Sequence, residues 1–315
     1  MLIPFGILSA AGSGVLRVSV AGYMVGGNNP GAISSGDKIA FPTDTKTTLT
    51  SVLSVATTEH PAGFANSGVA GYAAGGVVAG AGTTNIQKLT FPADTSSVLA
   101  SGLSTATREL GSGVSNFTVA GYAGGGNDSV GRTSVVNKIT FPADSVSTLG
   151  TGLSSGRDFN FGLSNSGTAG YFLGGRAAGA GNPRQNTIDK FAFPSDTRST
   201  LGTSLINTKA IGGSASNYQL AGYLLGGDGG AALTQILKFV FSSETNSALG
   251  ASLATGAIFG QSFANSGVAA YVGGGQPSTQ RIEKLALPAE TLSTLGITTT
   301  TSDGGASSYA NEGVF

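Results

Sequence analysis

An all-β, six-bladed β-propeller of four-stranded blades is the fold class that this 315-residue sequence predicts, and three observations predict it. The pattern A-G-Y-x-x-G-G recurs around Tyr23, Tyr72, Tyr122, Tyr171, Tyr223 and Tyr271, with Ala270 in the glycine position of the last copy. The spacings are 49, 50, 49, 52 and 48 residues, and a fixed period near fifty with several strand signals per unit marks propeller blades. Finally, residues 307–315 (SSYANEGVF) copy the segment that precedes each tyrosine motif, with Asn311 aligned to Asn66, Asn116, Asn165, Asn217 and Asn265. That last segment is expected to supply the first strand of the first blade, closing the ring and removing its open edges.

The second unit shows the elements in order. Phe64-Ala65-Asn66-Ser67 reads as strand one and Val69-Ala70-Gly71-Tyr72 as strand two. Gly75-Gly76 ends strand two, because glycine accepts a positive φ without steric cost. After a loop, Ile86 to Phe91 forms strand three, apolar on both faces, as a blade sandwiched between two neighbours requires. Pro92 stops the ladder for want of an N–H, and Asp94 can accept backbone hydrogen bonds in the turn. Strand four is short, around Val98 and Leu99. Small residues beside the tyrosine fit inner strands crowded near the axis. The pattern runs from about residue 13 to 315 without a linker, so one domain spans 1–315. Residues 1–15 are a possible extra N-terminal segment, since seven leading segments serve six blades and Arg17 takes the asparagine position in the first.

Composition narrows the function. Sixteen basic residues balance sixteen acidic ones and no basic run exists, which argues against a nucleic-acid partner. Charged residues make up only 10%, so the surface must be largely Ser, Thr, Asn, Gly and Ala. No stretch reaches the roughly 18 apolar residues of a membrane helix. The apolar residues 1–8 (MLIPFGIL) lack the preceding basic residue of a signal peptide, so none is evident and no membrane insertion is expected.

The repeat resembles the kelch class of propellers. The resemblance rests on Gly75-Gly76 and its equivalents, on the turn acids Asp44, Asp94, Asp144, Asp196, Glu244 and Glu290, and on a hydrophobic anchor in strand four. This chain is a tryptophan-less variant: Leu49, Leu99, Leu149, Leu201, Leu249 and Leu295 stand where the family usually has tryptophan. The Gly/Ser/Thr-rich style is also similar to repeat proteins of phage virions and bacterial surfaces.

Candidate chemistry is weighed against the repeat. Lys38 and Asp44 stand six apart, as do five equivalent pairs, and a catalytic pair would be single rather than sixfold. The pairs read as turn caps with partly exposed ion pairs. With His60 the one histidine and no cysteine, the usual zinc and copper sites cannot be built, and no metal or other cofactor is expected. No Gly pair is followed by Lys-Ser/Thr as in a phosphate loop.

What does not repeat is informative. The turns after strand three are uniform, whereas the opposite face varies in length and charge. Its candidates for binding are Arg176, Arg184 and Gln185 in the longest loop (176–187), with Arg108, Arg132, Arg157, Asp158 and Arg281. Variation on one face of a regular scaffold is where recognition usually sits. The expected protein is therefore not an enzyme. It is a structural or binding module, such as a virion appendage or decorating protein, located on a virion or an extracellular surface. Its partners would be proteins or other copies of itself. The alternative is a glycan-binding adhesin, with host-surface glycan as partner, or a sugar-processing propeller.

Overall fold

The computed structural model describes residues 19–28, 31–276, 280–300 and 307–311. The possible extra segment 1–15 lies outside these residues. The described chain forms six four-stranded antiparallel sheets. Blade 1 contains Ser307–Ala310, Ala21–Val25, Gly36–Ala40 and Thr45–Leu49. Blade 2 contains Ala62–Asn66, Ala70–Ala74, Ile86–Thr90 and Thr95–Val98; blade 3, Val114–Asn116, Ala120–Gly124, Val136–Thr140 and Ser145–Thr148. Blade 4 contains Phe161–Asn165, Ala169–Leu173, Ile188–Ala192 and Thr197–Thr200. Blade 5 contains Gly213–Asn217, Ala221–Leu225, Gln235–Val240 and Thr245–Ser252; blade 6, Gln261–Asn265, Ala269–Gly273, Arg281–Ala286 and Thr291–Thr298. Ser307–Ala310 is the first strand of blade 1 and pairs antiparallel with Ala21–Val25, which is the closure expected from the sequence.

First strands of successive blades lie side by side around the axis, stitched by serine hydroxyls. Ala65 N donates to Ser115 Oγ, Ser115 N to Ser164 Oγ, and Ser164 N to Ser216 Oγ, all at 2.9–3.0 Å. The glycine of A-G-Y is there for this inner packing. A Cβ on Gly71 would sit 2.0 Å from the Tyr309 ring, and one on Gly22 would sit 2.0 Å from Phe263. Ala270 escapes the rule because the matching side chain in the preceding blade is only Ala215.

Register places each motif tyrosine opposite the strand-three lysine of its own blade, as in Tyr23↔Lys38 and Tyr271↔Lys284. Both then reach into the next blade. Each tyrosine hydroxyl donates to the turn acid there at 2.7–3.0 Å. The partner lysine approaches the same carboxylate at 2.5–2.6 Å. The lysine six residues before each acid is thus not its partner. Lys38 pairs with Asp94, Lys88 with Asp144, Lys138 with Asp196, Lys190 with Glu244, Lys238 with Glu290, and Lys284 with Asp44. The acids stand at φ between 53° and 56°, held there by the turn that follows strand three. Tyrosine rings add stacking on the next blade's phenylalanine, as in Tyr23 on Phe91 at 5.0 Å and Tyr271 on Phe41 at 5.3 Å. The joint that closes the ring, between blades 6 and 1, therefore uses the same clamp as the other five.

Candidate functional site

The variable face is built around a run of backbone turns at the axis. The turns leading into blades 2 to 6 place Glu59, Glu109, Phe159, Ile211 and Phe259 in the left-handed region, with φ of 51–66°, and the turn into blade 2 adds His60 at φ 51°. From Glu109 onward each N–H donates to the carbonyl of the preceding member, four bonds in an open run among the described residues. Glu109 donates to Glu59, Phe159 to Glu109, Ile211 to Phe159 and Phe259 to Ile211, at 2.8–3.1 Å. Non-glycine residues in this region are strained and persist only where surrounding structure fixes them. Here the hydrogen bonds between successive turns do so.

His60 lies at the mouth of this run. Its imidazole stacks on Phe259 at 4.6 Å and meets the Phe159 ring edge-on at 5.1 Å. Desolvation, aided by the charge of Arg176, pulls its pKa down to about 3, so the ring is neutral near pH 7 and a weak base. Beneath it lies a cavity of about 30 Å³, lined by Ser112, Ser214, Ser262, Ser307 and Ser308. That volume is on the scale of one or two water molecules. Among the described residues, His60, Phe159 and Phe259 narrow the propeller axis at this end.

Beside His60, four of the sequence candidates converge. Asp158 is fully buried and receives Arg132 Nε at 2.7 Å and Arg176 Nε at 2.9 Å. Arg132 also donates to Ala177 O and Asn182 Oδ1, both at 2.9 Å. Arg176 lies 4.2 Å over the Phe159 ring and 3.8 Å from Glu109. Arg108 approaches Glu59 at 3.6 Å. Burial pushes the Glu109 carboxyl above its ordinary value, with Asp158 adding to the rise and the Asn127 hydrogen bond and both arginines opposing it. Three arginines and three acids thus form a neutral network across the loops of blades 2 to 4.

The remaining candidates lie apart from it. Arg157 is fully buried beneath the network, 2.9 Å from the equally buried Asp189, and donates to Phe172 O. The expectation of Arg157 and Asp158 displayed to a ligand meets two side chains enclosed by protein, because each lies in a turn folded under the neighbouring loop. Arg184 pairs with Asp228 at 2.5 Å, and Gln185 Nε2 donates to Pro183 O at 3.1 Å on the outer surface. Arg281 belongs to blade 6 and pairs with Glu283 at 2.9 Å.

From the sequence, His60 and Lys209 both fall in the connections between blades on the variable face, with no role assigned to either. Lys209 is the counterpart of Arg157 in the turn before blade 5. It is fully buried, has no hydrogen-bond partner for Nζ, and lies 5.6 Å from the Phe161 ring. Burial alone lowers its pKa to about 7. A readable signal existed. The residue before each repeated lysine is Asp37, Gln87, Asn137, Asp189, Leu237 or Glu283, and only blade 5 has an apolar one.

No protein-family model matches this chain, and no curated protein matches it significantly in sequence. The solved structure of YjhT is similar to it, with a TM-score of 0.65 over 82% of this chain and 90% of that one. Identity is 15%, so the likeness speaks for the propeller fold alone.

Proposed function

We propose that this propeller is a non-catalytic structural and binding module of kelch-like type, presenting its variable face to protein partners or to other copies in an assembly. The observation that carries this reading is the neutral network of Arg108, Arg132, Arg176, Glu59, Glu109 and Asp158. Its charges are spent on one another across three blades, which fixes loop shape instead of leaving a free cation or a general base. A surface poor in charged residues suits packing between protein copies, as in a virion appendage or decorating protein.

Two measurements test the proposal. Mass spectrometry of purified particles or surface fractions from the source should find the chain as a stoichiometric component. Immobilised wild-type protein should retain a partner from those fractions, and an R108A/R132A variant should lose it while its melting temperature stays within several degrees. Equal retention by the variant would remove the variable face from the proposal.

A further inference from the structure

The uniform face breaks its own rule in blade 5. Between strands one and two, blades 2, 4 and 6 carry Gly68, Gly167 and Gly267 in the left-handed region, and blade 5 carries Gln219 there at φ 60°. After strand three, five blades have an exposed proline, and blade 5 has Ser242. Both departures border one groove between blades 4 and 5, of about 580 Å³, lined by Asn165, Thr168, Tyr171, Lys190, Gln219, Phe241, Ser242, Ser243 and Glu244. Small-molecule sites occupy roughly 300–1,000 Å³.

Asn165 shows what the departures do. At two other joints the equivalent asparagine side chain is tied to the next blade: Gly167 N donates to Asn116 Oδ1 at 2.8 Å and Gly267 N to Asn217 Oδ1 at 2.9 Å. Across the joint from Asn165 the residue is Gln219, and Asn165 Oδ1 has no hydrogen-bond partner although the residue is only 8% exposed. Asn66 Oδ1 is likewise without a partner, opposite Thr118, whereas at the joint into blade 2 Gly68 N donates to the main-chain carbonyl of Asn311 at 2.6 Å. A buried acceptor without a donor is unfavourable unless something fills the role.

We propose that this groove is a binding site for an uncharged sugar ring. Asn165 Oδ1 calls for a hydroxyl or amide donor. Thr168, Ser242 and Ser243 offer hydroxyls that both donate and accept, and Gln219 offers an amide. Lys190 and Glu244 neutralise each other at 2.6 Å, so the groove presents no net charge to an ion. Tyr171 and Phe241, only 1% and 4% exposed, stack on each other at 5.7 Å and form the floor beneath these polar groups. The site lies on the face opposite the Arg132–Asp158–Arg176 network and does not depend on the function proposed for that network.

The test is saturation-transfer NMR on the full chain with methyl α-D-glucopyranoside, methyl β-D-galactopyranoside and N-acetyl-D-glucosamine at millimolar concentration. At least one should bind the wild type, with a Kd unchanged between 50 and 500 mM NaCl. Gln219→Gly installs the residue that ties the asparagine at the joints into blades 4 and 6, so it should fold, tie Asn165 and weaken binding at least tenfold. Asn165→Leu should do the same. No transfer to any of the three sugars, or undiminished binding by Gln219→Gly in a protein that melts normally, would overturn the proposal.

Discussion

The turns that lead into blades 4 and 5 share a backbone and differ in how they treat a buried cation. Arg157 and Lys209 each accept a hydrogen bond on the main-chain carbonyl from a glycine after strand two of the preceding blade, Gly126 and Gly175 respectively. Arg157 then meets Asp189, which also takes Ser154 N, Ser154 Oγ and Thr200 Oγ1. Burial would raise the Asp189 pKa, but Arg157 and these hydrogen bonds hold it below the usual carboxylate value. In blade 5 the equivalent of Asp189 is Leu237, and Lys209 is left with an aromatic ring and no acid. The acid's second task, catching the N–H of the incoming linker, passes to Asn246, whose Oδ1 accepts from Ile206 N at 2.9 Å. One position therefore holds two jobs, and they can be separated.

The largest effect should come from making blade 4 resemble blade 5. Asp189→Ala leaves Arg157 buried without its counter-charge, which costs about 3–5 kcal/mol in such sites. Urea denaturation at pH 7 measures it, and a loss under 1 kcal/mol would show that the ion pair contributes little beyond its own desolvation.

A smaller effect, of opposite sign, should come from Lys209→Met. It removes an unpaired buried amine and should stabilise the fold by roughly 1–4 kcal/mol at pH 7, by analogy with buried ions replaced by apolar residues. The pH dependence sharpens the comparison. The folded pKa of Lys209 is about 7, against about 10.4 for an unperturbed lysine. Between these values the unfolded chain holds a proton that the folded chain has released, so this group's contribution to stability rises with pH across that window and is flat below it. The advantage of Lys209→Met over wild type should shrink as pH rises from 7 to 10.5. A constant difference between the two melting curves would mean that the amine is not desolvated.

The smallest effect concerns the clamps. Asp44→Asn at the closing joint and Asp144→Asn at an ordinary one remove equivalent, partly exposed carboxylates. Each should cost on the order of 1 kcal/mol, and their melting temperatures should fall by similar amounts. A much larger drop for Asp44→Asn would show that the closing joint carries more of the fold's stability than its chemistry suggests.

The sequence made the blades legible because the same residues recur at the same offsets. Tyr72, Gly75-Gly76, Phe91 and Asp94 place strands and turns without any neighbour being known. The partners of Lys38 were not legible. Every blade carries the same lysine and acid, so pairing within a blade and pairing to the next leave one and the same sequence signature. Only the tilt of packed blades decides between them. The charged residues of the variable face were visible as departures from the repeat, but their neutralisation was not, since Arg132 and Asp158 stand 26 residues apart and meet through two loops. Leu237 and Gln219 were visible too. Each is a missing partner, and its meaning appears only with the group left behind, Lys209 or Asn165.

The closing pair of strands has a mechanical consequence. Gly22 lies opposite Ala310 and Val25 opposite Ser307, so the chain comes into Ala21–Val25 and leaves Ser307–Ala310 at the same end of the pair. A tug applied through both neighbours of these strands would load their hydrogen bonds one after another, beginning with Asn311 N to Ala21 O, as a zip is drawn. A pull across the plane of the ring would instead meet the clamps in parallel. The molecule would yield easily to tension at its seam and resist spreading everywhere else.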